Sequence, residues 1–128
     1  MSQPIFIVGS LNFDLVAFVD RLPVPGETRA AHRFSTLAGG KGANQACAVG
    51  RLGGRGKMIG AVGDDTFGDL LLATLGEASV DTHHVQRIEQ VPTGIAMIHV
   101  DGGGENHIVI AAGANGLLTP ADIEGAFD

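Results

Sequence analysis

The feature that most constrains the fold is a glycine-rich turn, Gly39-Gly40-Lys41-Gly42, followed directly by a run of small residues. Because glycine lacks a Cβ, it lets two backbones approach closely, so the turn predicts a helix packed tightly on a sheet. The helix is expected to end at Gly53-Gly54. The small or apolar positions that indicate close packing are Ala43, Ala46, Cys47, Gly50 and Leu52.

Two short apolar runs, residues 5–8 and 57–62, lie on either side of this helix and end in glycine-containing turns. Continuous apolar runs of this length are typical of strands covered on both faces, as in a parallel sheet. A variant capping box, Thr66 with Asp69, then predicts a further helix through Leu75. The order strand, helix, strand, helix indicates βαβ units.

The second half of the sequence has a different pattern. Residues 93–100 and 106–112 are rich in β-formers and flank Asp101-Gly102-Gly103-Gly104-Glu105, which predicts a hairpin. Residues 15–19 form another apolar run. We therefore predict an α/β fold: a Rossmann-like βαβ layer with a small antiparallel β lid, whose strands lie within about 15–36 and 93–112.

The segment Thr119-Pro120-Ala121-Asp122 is a strong helix-start signal, with Thr as the N-cap and Pro at the first helical position. Only six residues follow it, without a stop signal. We therefore expect the chain to end inside a helix and to be truncated before a C-terminal half. Residues 1–128 would then be the N-terminal part of one domain.

Composition limits the class of partner. The formal net charge is −6 and the chain has no block of Lys or Arg, so no nucleic-acid partner is expected. The single cysteine, Cys47, cannot form an internal disulfide. No apolar run is long enough to span a bilayer, and the N-terminus has no basic region before a long apolar stretch. We expect a cytoplasmic protein with no membrane partner.

Asn12 and Asp14 follow the first apolar run, at the strand end where open α/β sheets bind ligands. Two residues apart in an extended segment, their side chains project to the same side. A carboxylate accepts two hydroxyl hydrogen bonds, and an amide both donates and accepts, so the pair suits a polyol. The alternative is that both residues only shape a turn after Gly9.

The turn at Gly39-Gly40-Lys41-Gly42 is a second candidate site, because it opens a helix whose free amide groups can bind oxygens. It is not a Walker A loop, since Lys41 is followed by Gly42 rather than by Ser or Thr. A tight strand-to-helix turn without a ligand is the alternative.

Other catalytic chemistries find no support in the sequence. There is no Gly-x-Ser-x-Gly elbow for acyl transfer, and Asp64-Asp65 fits a helix cap better than a carboxylate dyad. No metal site is predicted, because the histidines show no metal-ligand spacing with Cys or acidic partners. They are His32, His83, His84, His99 and His107.

Taken together, the motifs resemble the ribokinase family of carbohydrate kinases over essentially the whole chain. One such motif would be weak evidence, whereas the ordered set is specific. In order, the motifs are Gly9-Ser10-Leu11-Asn12-Phe13-Asp14, Pro25-Gly26-Glu27-Thr28, Gly39-Gly40-Lys41-Gly42-Ala43-Asn44-Gln45-Ala46, Arg51-Leu52-Gly53, Val62-Gly63-Asp64-Asp65 with Gly68, Thr93-Gly94, Gly104-Glu105-Asn106 and Gly113-Ala114-Asn115.

The resemblance implies a sugar pocket with a lid. Asn12 and Asp14 would hydrogen-bond sugar hydroxyls, and the lid would cover the sugar's apolar face and pair with a second subunit to form a homodimer. The other residues that it implies around the sugar are Gly40, Lys41, Gly42, Asn44, Ala96, Ile98 and Ile110. The family's catalytic base and its sites for ATP, Mg²⁺ and K⁺ belong to a C-terminal half that has no counterpart in this sequence. No catalytic, cofactor-binding or metal-binding residue is therefore assigned here.

Three hypotheses about function stay open. The first is that the full-length parent is an ATP-dependent kinase that converts ribose to ribose 5-phosphate, while the isolated 128-residue chain is inactive. The second is a non-catalytic module that binds a sugar or dimerises, and the third is a truncated product without a function. The sugar itself, ribose or a related pentose, rests on the resemblance alone.

Overall fold

The computed structural model describes residues 3–128. In chain order its elements are β1 (Pro4–Val8), β2 (Asn12–Phe18), β3 (Arg33–Gly39), α1 (Lys41–Arg51), β4 (Arg55–Gly63), α2 (Thr66–Glu77), β5 (Asp81–Ile88), β6 (Gly94–Val100), β7 (Asn106–Ala111), a 3-10 helix (Gly113–Leu117) and α3 (Pro120–Gly125). Among these residues no helix is both long and apolar enough to cross a membrane.

The strands form two sheets, which confirms the predicted α/β fold with a βαβ layer and a lid. The three-stranded sheet, called the base here, has the order β1-β4-β5 and is parallel throughout. The four-stranded sheet has the order β3-β2-β6-β7 and is called the lid. The helices α1 and α2, which precede and follow β4 in the chain, pack on the base.

The core lies between the base sheet and its helices. Burying one such aliphatic side chain contributes about 1.5–3 kcal/mol, so this layer is the main source of rigidity for the loops at its carboxyl edge. The large apolar side chains that are fully buried are Leu11, Met58, Ile59, Val62, Leu71 and Leu75.

The lid is not antiparallel throughout, because its central pair, β2 and β6, runs parallel. Both strands leave the base at its carboxyl edge: β2 begins four residues after β1 ends at Val8, and β6 begins beside Gly63 at the end of β4. Two strands that start at one edge and run the same way pair in parallel. The outer pairs, β2 with β3 and β6 with β7, are antiparallel as predicted.

The start of α1 depends on a backbone contact that only glycine permits. Gly40 adopts φ +96°, and a Cβ on Gly42 would lie 2.7 Å from the Cα of Gly9. The Ala43 N–H donates to the Ser10 carbonyl at 3.0 Å. The first turn of α1 is therefore fixed directly against the loop that joins β1 to β2.

The predicted cap of α2 is wrong in its position. Asp65, not Thr66, is the N-cap, because Asp65 has extended backbone angles and its carboxylate accepts a hydrogen bond from the Gly68 N–H at 2.8 Å. The expectation that the Asp64-Asp65 pair caps a helix is thereby confirmed for Asp65.

The end of the chain also differs from the expectation. The capping box of Thr119 and Asp122 is present, but α3 ends at Gly125 instead of continuing to the last residue. Glycine favours an end to the helix, and the ring of Phe127 then packs on Phe6 with centroids 4.4 Å apart.

Strand β5 has no counterpart in the sequence prediction. It carries several polar residues and has one buried position, Val85, so it lacks the continuous apolar run that marks β1 and β4. Its polar composition agrees with its exposure, since four of its eight residues, Asp81, His83, Gln86 and Arg87, are exposed.

Thr93 joins the base to the lid. Its hydroxyl donates to Asp65 at 2.6 Å and accepts from the Gly63 N–H at 2.9 Å, and its own N–H donates to Asp65 at 2.9 Å. Burial by itself raises the pKa of Asp65, but the hydrogen bonds from Thr93 and Gly68 outweigh it and lower that pKa below its usual range. The ionised carboxylate thus holds α2, β4 and the start of β6 together.

We predict that Thr93→Val lowers the free energy of unfolding by about 1–3 kcal/mol, because it leaves the buried Gly63 N–H without an acceptor. Urea unfolding followed by far-UV circular dichroism measures the change, since the chain has no Trp or Tyr for fluorescence. The matched control is Thr74→Val on α2, whose exposed hydroxyl bonds to the Leu70 carbonyl. It should change stability by less than about 0.5 kcal/mol. Equal effects of the two substitutions would contradict the prediction.

Candidate functional site

A cavity of about 450 Å³ lies between one face of the lid and the start of α1. The lid contributes residues from β2, β6 and β7, and α1 contributes its first turn. The residues that line it are Ser10, Asn12, Asp14, Gly40, Lys41, Asn44, Ala96, Ile98, Ile108, Ile110, Ala112 and Asn115.

Eight of the nine residues assigned to the site from the sequence line this cavity. The structure thus brings together residues up to 98 positions apart in the chain, from Asn12 to Ile110. The ninth, Gly42, does not line the cavity. It is buried against the backbone of Gly9 and Ser10. Its contribution is to let α1 approach the β1–β2 loop, which places Lys41 and Asn44 at the cavity.

The alternation of side chains along the strands explains why the lid residues share a face. Asn12 and Asp14 are two residues apart on β2, and the register pairs Asp14 with Ala96 on β6 and Ala96 with Ile110 on β7. Neighbouring partners in register point to the same side of a sheet. This lid face is therefore polar at β2 and apolar at β6 and β7.

Four lining residues were not assigned by the sequence analysis: Ser10, Ile108, Ala112 and Asn115. Asn115 makes the most hydrogen bonds of these, although it had been quoted only as part of a motif. Its side-chain oxygen accepts from the Leu11 N–H at 3.0 Å, and its side-chain nitrogen donates to the Leu11 carbonyl at 3.0 Å. The same nitrogen also donates to Asn12 Oδ1 at 2.9 Å. Hydrogen bonds across 103 residues leave no local signal in the sequence.

The contact with Asn115 determines what Asn12 offers to a ligand. Since Oδ1 of Asn12 accepts from Asn115, its Nδ2 group is left as a donor toward the cavity. Gly94 makes this arrangement possible, because a Cβ there would overlap the side-chain nitrogen of Asn115 and lie 2.6 Å from Asn12 Oδ1. An exchange of the two amide atoms of Asn12 would place two donors against each other.

Asp14 lies partly buried in the lining, and within residues 3–128 no protein group donates a hydrogen bond to its carboxylate. A Cβ on Gly39 would overlap that carboxylate, so the glycine gives Asp14 its room. Burial raises the pKa of Asp14 above its usual value. An ionised carboxylate that has lost water without gaining donors is a strong acceptor for the hydroxyl groups of a ligand.

The cavity can therefore hold a small molecule that has hydroxyl groups on one side and C–H groups on the other. Asn12 donates and Asp14 accepts, while Ala96, Ile98 and Ile110 offer apolar contact. Lys41 and Asn44 add two further polar groups from α1.

A second cavity, of about 340 Å³, lies on the other side of the lid and does not offer the same chemistry. Its polar side chains include Asp65 and Thr93, which are already bonded to each other. Its other walls are largely apolar, with Phe67, Pro92 and Ile95 among them.

Two of the histidines lie beside acidic side chains that the spacing along the sequence does not reveal. His107 Nε2 lies 3.3 Å from Asp101 Oδ2, and His32 Nδ1 lies 3.8 Å from Asp20 Oδ1. Both contacts arise from turns in the lid, so the spacing along the chain does not reveal them.

Comparisons with known proteins agree with the fold of the chain. The sequence matches the description "pfkB family carbohydrate kinase" over residues 2–127. It is 44% identical to a ribokinase of Schizosaccharomyces pombe over 126 residues, which are 94% of this chain and 40% of that protein. It is 38% identical to a deoxyribokinase of Salmonella typhi over 122 residues, which are 95% of this chain and 40% of that protein.

The fold has a close match among solved structures. An Arabidopsis thaliana ribokinase complexed with ribose and ATP superposes with a TM-score of 0.86 at 37% identity, over 97% of this chain and 42% of that chain. The chain thus spans about two fifths of the length of the relatives it matches. Because the match to the family extends over residues 2–127, the chain belongs to the pfkB family of carbohydrate kinases.

Proposed function

We propose that this chain forms the sugar-binding part of an ATP-dependent kinase that phosphorylates a hydroxyl of ribose or a related pentose. The observation that carries the proposal is the partly buried Asp14 carboxylate, to which no group within residues 3–128 donates, in a cavity that it shares with the Asn12 amide and with apolar side chains. Similarity to ribokinases, one of them complexed with ribose and ATP, supports the choice of substrate class.

In this proposal each group has one task. Asp14 accepts hydrogen bonds from two sugar hydroxyls and Asn12 donates one, while Ala96, Ile98 and Ile110 pack on the ring's C–H face. Lys41 and Asn44 contact the sugar from α1, on the side opposite the lid. These contacts orient the sugar and hold its reactive hydroxyl in place, which is the part of phosphoryl-transfer catalysis that positioning supplies.

The exact sugar follows from similarity more than from geometry. Relatives at comparable identity include a ribokinase and a deoxyribokinase, whose sugars differ by one hydroxyl group. A carboxylate and an amide recognise hydroxyl pairs, so they favour a polyol without selecting one pentose. We propose ribose as the first substrate to test, with deoxyribose as the comparison.

The residues at the cavity do not fit the other reactants that the family implies. Asp14 is the one carboxylate and Lys41 the one cation in the lining, whereas Mg²⁺ takes carboxylates together with phosphate oxygens. Within residues 3–128, the one three-residue group of candidate metal ligands lies at the tip of the lid, outside the cavity lining. We propose that the catalytic base and the sites for ATP, Mg²⁺ and K⁺ lie elsewhere in a whole, cytoplasmic protein.

We also propose that the lid pairs with the lid of a second copy. Both its edge strands, β3 and β7, carry exposed apolar side chains: Phe34 and Leu37 on β3, and Ile108, Val109 and Ile110 on β7. Uncovered apolar edges of this kind favour association.

The dimer is tested with Leu37→Lys, which places a charge on β3 outside the cavity lining. Sedimentation velocity should show a dimer for the unaltered chain and a monomer for the variant. The matched control, Leu52→Lys, changes an 88% exposed leucine after α1 and should stay dimeric. A monomer at all concentrations for the unaltered chain would exclude pairing through the lid in this form.

Substitution of Asp14 tests sugar binding. We predict that Asp14→Asn weakens ribose binding by about 10- to 100-fold, because hydrogen bonds to a charged acceptor contribute roughly 1.5–3 kcal/mol. Isothermal titration calorimetry on the 128-residue chain measures this. Asp81→Asn is the matched control, since Asp81 lies on β5 and its Oδ1 caps the His83 N–H, a role that Asn can keep.

Two outcomes would contradict the proposal. One is an equal loss of binding in both variants, and the other is no binding of ribose or deoxyribose at millimolar concentration.

The chain alone should consume no ATP in the presence of ribose, and steady ATP consumption that depends on ribose would show that a catalytic base exists within it.

The pH dependence provides a second test of Asp14. Sugar hydroxyls donate to the ionised carboxylate, so affinity should be constant at high pH and fall as pH decreases through the pKa of Asp14. Since burial raises that pKa above 3.8, the fall should begin at a higher pH than for an exposed Asp. Calorimetry from neutral to mildly acidic pH measures the midpoint, and Asp14→Asn should remove the pH dependence. A midpoint retained in that variant would assign it to another group.

A further inference from the structure

The tip of the β6–β7 hairpin carries two histidines and two carboxylates in a mirrored order. His99-x-Asp101 comes before the turn and Glu105-x-His107 comes after it. Side chains two residues apart in a strand lie on the same face. His99 on β6 and His107 on β7 therefore lie on the lid face opposite to Ile98 and Ile108, while Asp101 and Glu105 lie in the turn between the strands. None of the four lines the proposed sugar cavity.

The register brings the two arms of this pattern together. His99 is the direct cross-strand partner of His107. Ligand atoms of Asp101, Glu105 and His107 all lie within 4.8 Å of one another. His99 is not in this group, although direct cross-strand partners have Cβ atoms about 4.5–5.5 Å apart, so its ring would have to turn toward the group to join it.

Hydrogen bonds within the turn fix the orientation of the Asp101 carboxylate before any metal ion binds. Its Oδ1 accepts hydrogen bonds from the backbone N–H groups of Gly103 at 2.9 Å and Glu105 at 3.1 Å, which leaves Oδ2 directed at His107. The Gly102 N–H donates to the Asp20 carbonyl at 2.9 Å, so the tip is also attached to the loop after β2. Fixing the turn in advance lowers the entropy cost of binding.

An ion pair between His107 and Asp101 explains only part of this arrangement. It leaves the carboxylate of Glu105 close to that of Asp101, and two like charges at this separation repel each other. The side chain of His107 is 41% exposed and that of Asp101 is 22% exposed, so an ion from solution can reach both. A bound cation would offset the repulsion and engage both carboxylates together with the imidazole.

We propose that His107, Asp101 and Glu105 bind a divalent transition-metal ion at the hairpin tip, and that His99 turns toward the ion from the neighbouring strand as a fourth ligand. Two imidazoles and two carboxylates suit ions of the Zn²⁺, Ni²⁺ and Cu²⁺ class better than Mg²⁺ or Ca²⁺, which prefer oxygen alone. Ligand distances near 2.0–2.2 Å require rotations of the three side chains that are already gathered within 4.8 Å, and a separate rotation of the His99 ring.

Zinc titration of the metal-free 128-residue chain tests the site. Isothermal titration calorimetry should give one Zn²⁺ per chain, and Co²⁺ in its place should show the visible absorption of a four-ligand site. His107→Gln should weaken Zn²⁺ binding by about tenfold or more, since loss even of a group that supports a ligand has effects of this size.

Asp101→Asn distinguishes the role of Asp101 in the turn from its proposed role as a metal ligand. Asn keeps an oxygen for the Gly103 and Glu105 N–H groups but removes the negative charge, so the variant should fold and still lose about tenfold or more in Zn²⁺ affinity. Should this variant melt early without metal, His107→Gln, which leaves the turn's backbone bonds untouched, decides the question.

The matched control is the double variant His83→Ala, His84→Ala on β5, whose two rings lie 5.1 Å apart and are the other adjacent histidine pair. It should bind Zn²⁺ as the unaltered chain does. The proposal is overturned if the unaltered chain binds no Zn²⁺, if His107→Gln binds it with unchanged affinity, or if the His83, His84 variant is the one that loses it. Ribose binding should be unaffected in every case, so this test is independent of the proposed sugar site.

Discussion

The arrangement of the site depends on the side chain of Asn115. Its side-chain amide pairs with the backbone of Leu11, accepting from the Leu11 N–H and donating to the Leu11 carbonyl. A loop between two sheets would otherwise leave these backbone groups to water. Because Asn115 also bonds to Asn12, the same contact that closes the loop sets which amide atom faces the cavity. Asn115 therefore both stabilises the loop and sets the orientation of the Asn12 amide at the cavity.

Glycines provide the space for that arrangement. Gly39 leaves room for the Asp14 carboxylate, Gly94 for the two asparagine side chains, and Gly42 for the backbone of Gly9. In each case a Cβ would meet a polar group or a backbone atom, so even alanine would displace a functional group. The high glycine content is concentrated at these contacts as well as in ordinary turns, such as Gly53, where a Cβ would meet nothing.

What could be predicted from the sequence follows from how local each signal is. The apolar strands β1 and β4, the hairpin and the capping box at Thr119 have local patterns and were predicted. The expected cover on both faces is wrong for β1, since Ile5 and Val8 are 47% and 45% exposed. The positions of Asn12 and Asp14 in one cavity with Ala96 and Ile110 followed from the family resemblance, and the register now gives the geometric reason. Strand β5 has a polar sequence, and the bonds of Asn115 span 103 residues, so neither has a local signature.

The parallel pairing of β2 with β6 has a consequence for movement. The polar lining residues Asn12 and Asp14 and the apolar residues Ala96 and Ile110 belong to one continuous hydrogen-bonded sheet, which restrains the distances among them. Lys41 and Asn44 belong to the helix layer beneath. If the lid tilted, a sugar bound to it would move with the lid. The distance that would then change is the one from the sugar to the amino end of α1.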